Sequence, residues 1–320
     1  MSYKPIIIVA GEPNSVFLEI FFKSINKNYF KSPLIIIVSK RLLLEQMKIL
    51  GFNFKINLIN ENYLYLSKLD NKKINIINVD YKYKEPFENI SNKSNNYITK
   101  CFDLALRILS KNKYLSLVNG AISKKSFLKG RFLGITEYLA EKTKRKNVVM
   151  LIYNKKLSVS PITTHLPLKD VNKNITRVKI IKHIQLIENF YKKTLKKKAT
   201  IAITGLNPHC ESNYKSSEED KIIKPAIKSL IKRKHKVSGP FSADTIFMKE
   251  QSKEYDVIVG MYHDQVLTPV KTLFGFDAIN ITLGLPFIRI SPDHGPNISM
   301  LGKNLSNPKS LTKALKFLDK

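Results

Sequence analysis

Short apolar runs alternate with longer amphipathic stretches along this chain, and the alternation predicts an α/β fold. Strands are expected at 5–10, 34–39, 55–58, 73–79, 114–119, 148–152, 200–204, 255–260 and 278–281. Helices are expected at 16–25, 41–50, 97–110, 136–144, 177–195, 218–234 and 309–318, where apolar residues recur at helical spacing. The 218–234 helix opens on a capping box, Ser216 with Glu219 three residues later, and the last helix follows Pro308. Residues 81–96, rich in Lys, Asn and Ser, read as a surface loop, and no internal repeat is present. At 320 residues two lobes are expected rather than one. The clearest seams, near 120–134 and 268–276, divide the chain into 1–120 plus 275–320 and 121–274.

Composition narrows the class. A hydrophobic share of 43% and a mean hydropathy of −0.17 suit a globular protein. No apolar run approaches the ~18–20 residues a membrane span requires. The opening MSYKPIIIVAGEP carries an apolar run too short for a signal-peptide core, so it reads as the first strand of a cytoplasmic domain. Two cysteines cannot make a disulfide framework, which agrees with a reducing compartment. Cys101 reads as a small core residue; Cys210 adjoins His209, but no second thiol accompanies it as a metal ligand.

Charge changes the picture less than its size suggests. Lys and Arg number 55 against 25 Asp and Glu, a net +30 that would attract a polyanion. The lysines are scattered through nearly every helix and loop, and the clusters at 142–146, 192–198 and 232–236 fall at helix ends. They read as solvated faces rather than as a nucleic-acid site.

The chemistry concentrates between residues 255 and 295. A buried strand, 257–260, ends in His263-Asp264-Gln265, and open α/β sheets bind ligands at the carboxyl ends of their strands. Lys271, Asn280 and Arg289 follow, one per short element, and together can grip an anionic, hydroxylated small molecule. His165 follows the turn-prone Ser160-Pro161, His209 ends Gly-Leu-Asn-Pro-His, and His263 ends its strand. Three imidazoles delivered by separate strand ends to one rim are what a divalent metal needs, although each alone also suits a polar turn. Asp244 and Asp264 are candidates for orienting the metal ligands or moving a proton. His183 and His235 read as surface residues, and His294 as a pocket or turn residue beside Asp293 and Gly295. No G-x-G-x-x-G follows a strand, which argues against an ordinary dinucleotide-binding Rossmann domain without excluding NAD held by another fold.

YHDQ, then a lysine, then NITLGLPFIR and DHG, resemble the 4-hydroxythreonine-4-phosphate dehydrogenase family of pyridoxal phosphate biosynthesis. The resemblance continues through TTHLPL at 163–168, GLNPH at 205–209 and SADTIF at 242–247, and more loosely through GITE at 134–137 and GEP at 11–13. It implies an isocitrate/isopropylmalate dehydrogenase-like fold, two α/β lobes with a cleft, in a homodimer. It implies that His165, His209 and His263 bind a divalent metal (zinc, cobalt, magnesium, manganese or nickel), one ligand crossing the dimer interface. Thr136, Lys271, Asn280 and Arg289 would bind substrate, with Lys271, Asp244 and Asp264 as the catalytic candidates. The implied reaction is NAD-dependent oxidation of 4-phosphohydroxythreonine, then loss of carbon dioxide to give 3-amino-2-oxopropyl phosphate.

Departures lie in the first half. The family's GHTE reads Gly134-Ile135-Thr136-Glu137, its PVHK-like loop reads Ala121-Ile122-Ser123-Lys124, and its glycine-rich start reads GEPNSVFLE. An apolar Ile135 cannot donate a hydrogen bond to phosphate. Two other expectations follow: the same chemistry on another phosphorylated hydroxy acid, such as a four-carbon sugar-acid phosphate, or a degenerate member that binds ligand or polyanion without turnover.

Overall fold

The computed structural model describes residues 3–61, 69–112, 115–210, 217–275, 277–292 and 295–319. The chain forms two compact units, Met1–Leu139 with Leu285–Lys320, and Ala140–Gly284.

The first unit is a parallel sheet with helices on both faces. Its strands are β1 (Ile6–Val9), β2 (Leu34–Val38), β3 (Ile56–Leu58), β4 (Ile74–Asn78), β5 (Ser116–Asn119) and β12 (Arg289–Ser291), in the order β3-β4-β2-β1-β5-β12. Side chains alternate across a strand, and the core alternates with them. Ile7, Val9, Ile35 and Ile37 join Ile98, Phe102 and Ala105 of α3 (Asn95–Lys111). Ile6, Ile8, Ile36 and Val38 join residues of α1 (Phe17–Lys27), α2 (Lys40–Ile49) and α9 (Lys309–Leu318). Burial on both faces is why these strands are unbroken apolar runs.

The second unit contains β6 (Val149–Tyr153), β7 (Ser158–Thr163), β8 (Ile201–Thr204), β9 (Val237–Phe241), β10 (Val257–Tyr262) and β11 (Ile279–Leu283), ordered β11-β6-β7-β10-β8-β9. β11–β6 and β6–β7 are antiparallel; β7, β10, β8 and β9 are mutually parallel. Its main helices are α5 (Arg177–Phe190), α6 (Lys224–Lys232) and α8 (His263–Phe274), with a short α7 (Lys249–Ser252). Among the described residues no helix is long and apolar enough to cross a membrane.

Several sequence expectations need adjusting. Residues 121–139 go with the first unit, because Leu128, Tyr138 and Leu139 complete the cluster around Phe102. β11 goes with the second, because its whole length pairs with β6. Ser160-Pro161 is not a turn but lies inside β7, past the Ile152↔Val159 pairing with β6, where a missing N–H is tolerated. α8 was not anticipated, since Pro269 sits inside it. Ser216 lies outside the described residues; Ser217 caps the following helix, its Oγ accepting from Asp220 N at 3.3 Å. His294 and the residue at 114 also lie outside them.

His183 is not a surface residue. It shares the inward face of α5 with Ile180, Ile184 and Ile187, and its Nε2 lies 2.7 Å from Ser160 Oγ. Ser160 donates its own proton to Met150 O at 2.6 Å, so the contact assigns an Nε2–H tautomer to the imidazole. Burial, with Lys179 adding to it, pulls the His183 pKa from 6.5 down to about 3. Between those values the unfolded chain binds a proton that the folded one excludes, so stability present above pH 6.5 is lost as pH falls. By pH 5 the loss from this group reaches at most about 2 kcal/mol. Urea midpoints at pH 7 and pH 5 should therefore differ more in the native chain than in His183→Gln, and equal differences would refute the assignment.

Candidate functional site

Four neighbouring parallel strands bring the candidate site together. His165 lies two residues past β7, His263 follows β10 directly, His209 lies five residues past β8, and Asp244 three past β9. All four therefore belong to the carboxyl edge of one sheet. Tyr262 is in register with Thr163, and Thr163 Oγ1 donates to Met261 O at 2.7 Å, tying the first two strand ends together. The His165 and His263 rings consequently lie with centroids 5.9 Å apart.

Those two rings suit a shared cation. Metal–nitrogen bonds near 2 Å set the centroids of two rings on one ion roughly 4.5–5.5 Å apart, a spacing a small side-chain movement would reach. His263 Nδ1–H donates to Asp264 Oδ1 at 2.6 Å, which fixes the tautomer and leaves Nε2 as the lone-pair nitrogen. Asp264 is thus an orienting carboxylate, on a side chain 79% exposed. Among the described residues of one chain, however, no three metal-ligating side chains gather into a group. His209 stands apart from the pair and interacts instead with Asp244, whose pKa is lowered chiefly by the hydroxyl of Ser242 and further by His209.

The loop that carries His209 is held by a buried carboxylate. Glu219 Oε1 accepts from Leu206 N at 2.7 Å and Asn207 N at 2.8 Å, and Oε2 accepts from Asn207 Nδ2 at 2.8 Å. Burial alone would raise the Glu219 pKa; the donors outweigh it, and the value is lowered. Gly205 is required here, because a Cβ would meet Cys210 Sγ at 2.7 Å and Glu219 Oε1 at 3.0 Å. His209 and Cys210 then take left-handed backbone angles, φ 57° and 58°, each costing of order 1–3 kcal/mol, which only a firmly braced loop sustains.

The anion-binding candidates separate into two groups. Arg289 is fully buried at the start of β12; its Nε donates to Asn119 Oδ1 at 2.7 Å and its Nη1 to Thr136 Oγ1 at 3.4 Å. Burial brings its pKa from 12.5 to about 10, with the Glu137 carboxylate opposing the shift, so the guanidinium stays charged at neutral pH. Thr136 lies in the first turn of α4 (Ile135–Lys142), beside Ile135, which packs against the Phe102 cluster. Asn119 was not anticipated; its signal was a polar residue closing an apolar strand. Lys271 is exposed in the last turn of α8, about 12 Å along the helix from His263. Asn280, opposite Ile152, lies towards the same far edge of the sheet, with a buried Oδ1 that no described residue bonds. One chain therefore does not bring Lys271 and Asn280 to the histidines.

Comparison with known proteins places the whole chain in one family. The profile of the family described as "Pyridoxal phosphate biosynthetic protein PdxA" matches residues 30–318. A 4-hydroxythreonine-4-phosphate dehydrogenase of Sulfurihydrogenibium sp. is 36% identical over 97% of this chain and 96% of its own. A protein of Oceanobacillus iheyensis, named as a candidate D-threonate 4-phosphate dehydrogenase, is 32% identical over 98% of this chain and 97% of its own. The crystal structure of 4-hydroxythreonine-4-phosphate dehydrogenase from Klebsiella pneumoniae superposes with a TM-score of 0.86 at 26% identity, covering 99% of this chain and 97% of that one. Isocitrate dehydrogenase from Methylococcus capsulatus shares the fold alone, with a TM-score of 0.50 at 9% identity over 97% of this chain and 83% of that one.

Glu219→Ala should strand three donors of the 205–207 loop and lower stability by roughly 2–4 kcal/mol. A urea midpoint equal to that of the native chain would show that the carboxylate does not brace the loop.

Proposed function

The chain belongs to the PdxA family of pyridoxal phosphate biosynthetic proteins, and from that premise we propose that it is a metal- and NAD-dependent dehydrogenase acting on 4-phosphohydroxythreonine. The substrate's secondary alcohol loses a hydride to NAD and a proton, and the β-keto acid so formed releases carbon dioxide to leave 3-amino-2-oxopropyl phosphate. The observation that carries the reading is the His165–His263 pair with Asp264 behind it, at the carboxyl edge of a parallel sheet.

When bound by those imidazoles, a zinc, cobalt, magnesium, manganese or nickel ion supplies Lewis acidity for charge developing on a substrate oxygen. Asp264 keeps the His263 ring in the tautomer such binding needs, and Asp244 sets a negative charge near His209. Arg289, steadied by Asn119 and Thr136, offers a cation to the substrate's phosphate or carboxylate. Lys271 and Asn280 supply a further cation and amide. NAD rests on the family's chemistry, and no nucleotide-binding glycine loop follows a strand.

The protein works as a homodimer with shared active sites. Two features support this: the three imidazoles do not gather in one chain, and Lys271 lies a helix length from His263. His209 of the partner subunit would complete the metal site. The cytoplasm is the proposed compartment, in keeping with two buried, unbridged cysteines.

A second reading keeps the chemistry and changes the substrate to a four-carbon sugar-acid phosphate. The Oceanobacillus relative and the apolar Ile135 beside Thr136 favour it. NADH formation should be measured on 4-phosphohydroxythreonine and on D-threonate 4-phosphate with metal present. The first reading expects kcat/KM at least about tenfold higher on 4-phosphohydroxythreonine. The reverse order selects the second, and no NADH from either leaves a ligand-binding member without turnover. Arg289→Lys, which keeps the charge and loses the fork, should raise KM by roughly 10–100-fold with a smaller change in kcat. An unchanged KM would remove Arg289 from the substrate site.

A further inference from the structure

We infer that Gln265 is a positioning residue that sets the His209 loop against the strand end bearing His263. The inference rests on the metal-site reading above. One side-chain amide spans both elements. Its Oε1 accepts from Met261 N at 2.6 Å, two residues before His263, and from Thr204 Oγ1 at 2.9 Å, the last residue of β8. Its Nε2 donates to Gly205 O at 2.8 Å, the first residue of the loop leading to His209.

The geometry admits little else at this position. Gln265 lies in the first turn of α8 and is nearly buried. Its carbonyl reaches over Gly260, where a Cβ would meet Gln265 Oε1 at 2.9 Å and Val266 Cγ1 at 2.4 Å. Only a residue with an acceptor for two donors, and a donor for one carbonyl, satisfies all three bonds. Glutamate keeps the acceptor but sets a second oxygen against Gly205 O. Glutamine thus joins β8 and β10 at the level where their imidazoles emerge, while Glu219 holds the other side of the loop at Leu206 and Asn207. The two braces act on adjacent residues, 205 and 206–207, leaving His209 one short tether from a fixed point.

The role differs from a packing role in what it moves. Gln265→Glu retains the bonds that hold β8 to β10 and loses the one to the His209 loop. Cobalt(II) titration of the full-length protein, followed by visible absorption and calorimetry, reads the site without turnover. The expected result for Gln265→Glu is 10–100-fold weaker cobalt binding, about the loss seen when an outer-shell partner is removed, with an altered absorption band and a chain that stays folded through the titration. Thr204→Val, which removes one donor to the same oxygen, should weaken binding less. Native cobalt affinity and spectrum in Gln265→Glu would overturn the inference, as would a loss in both variants that merely follows a fall in thermal midpoint. His209→Ala is the control for the underlying reading. If it binds cobalt like the native chain, the metal assignment of His209 fails; if it loses cobalt while Gln265→Glu does not, only the positioning role fails.

Discussion

Paired parallel strands share both their ends, so whatever follows each strand is delivered to a common edge. In the second unit that constraint acts on β7, β10, β8 and β9 together, and the site follows from it. Register fixes the level of each strand end: Tyr262 beside Thr163, Val259 beside Ile203. These strands are buried on both faces, so a one-residue slip would disrupt the packing of both layers at once. Tether length then decides how much further help each functional residue needs. His165 and His263, one or two residues from a strand end, lie side by side, steadied by Thr163 and Asp264. His209, on a longer tether with left-handed backbone, requires the braces of Glu219 and Gln265.

Electrostatics in the first unit follow a different logic. A buried guanidinium is costly unless its donors are met, and Arg289 meets part of that need through Asn119 at the end of β5 and Thr136 at the start of α4. Burial brings its pKa down to about 10 and the nearby Glu137 carboxylate opposes the shift, so it stays charged at neutral pH. In the proposed substrate-binding role such a cation would be preorganised for a phosphate or carboxylate, because a buried arginine needs little reordering when an anion arrives.

Much of the fold was legible because burial on both faces writes itself as apolar runs; Ile6–Val9 and Leu34–Val38 are clear cases. What stayed hidden had a local cause. β9 reads Val-Ser-Gly-Pro-Phe, whose glycine and proline imitate a turn, and Pro269 masks α8. His183 hid inside a helix whose buried stripe it shares, although its spacing from Ile180 and Ile187 carries that information. For the site, the residues after each strand were legible as chemistry, because polar groups at strand ends stand out from the apolar background. Their grouping was not. Spacing along a chain does not reveal that α8 carries Lys271 away from His263, or that Arg289 turns inward to Asn119 rather than outward to solvent.

In the proposed dimer, one chain's His165 and His263 share a cation with His209 of the partner subunit. Subunit mixing tests it most directly. His209→Ala and His263→Ala chains, each unable to build an intact site, are exchanged in equal amounts and assayed for bound metal and NADH formation. Half the dimers are then hybrids with one intact site of two, so both signals should return to about a quarter of the native level. Verified exchange with no recovery of either signal would contradict the shared site.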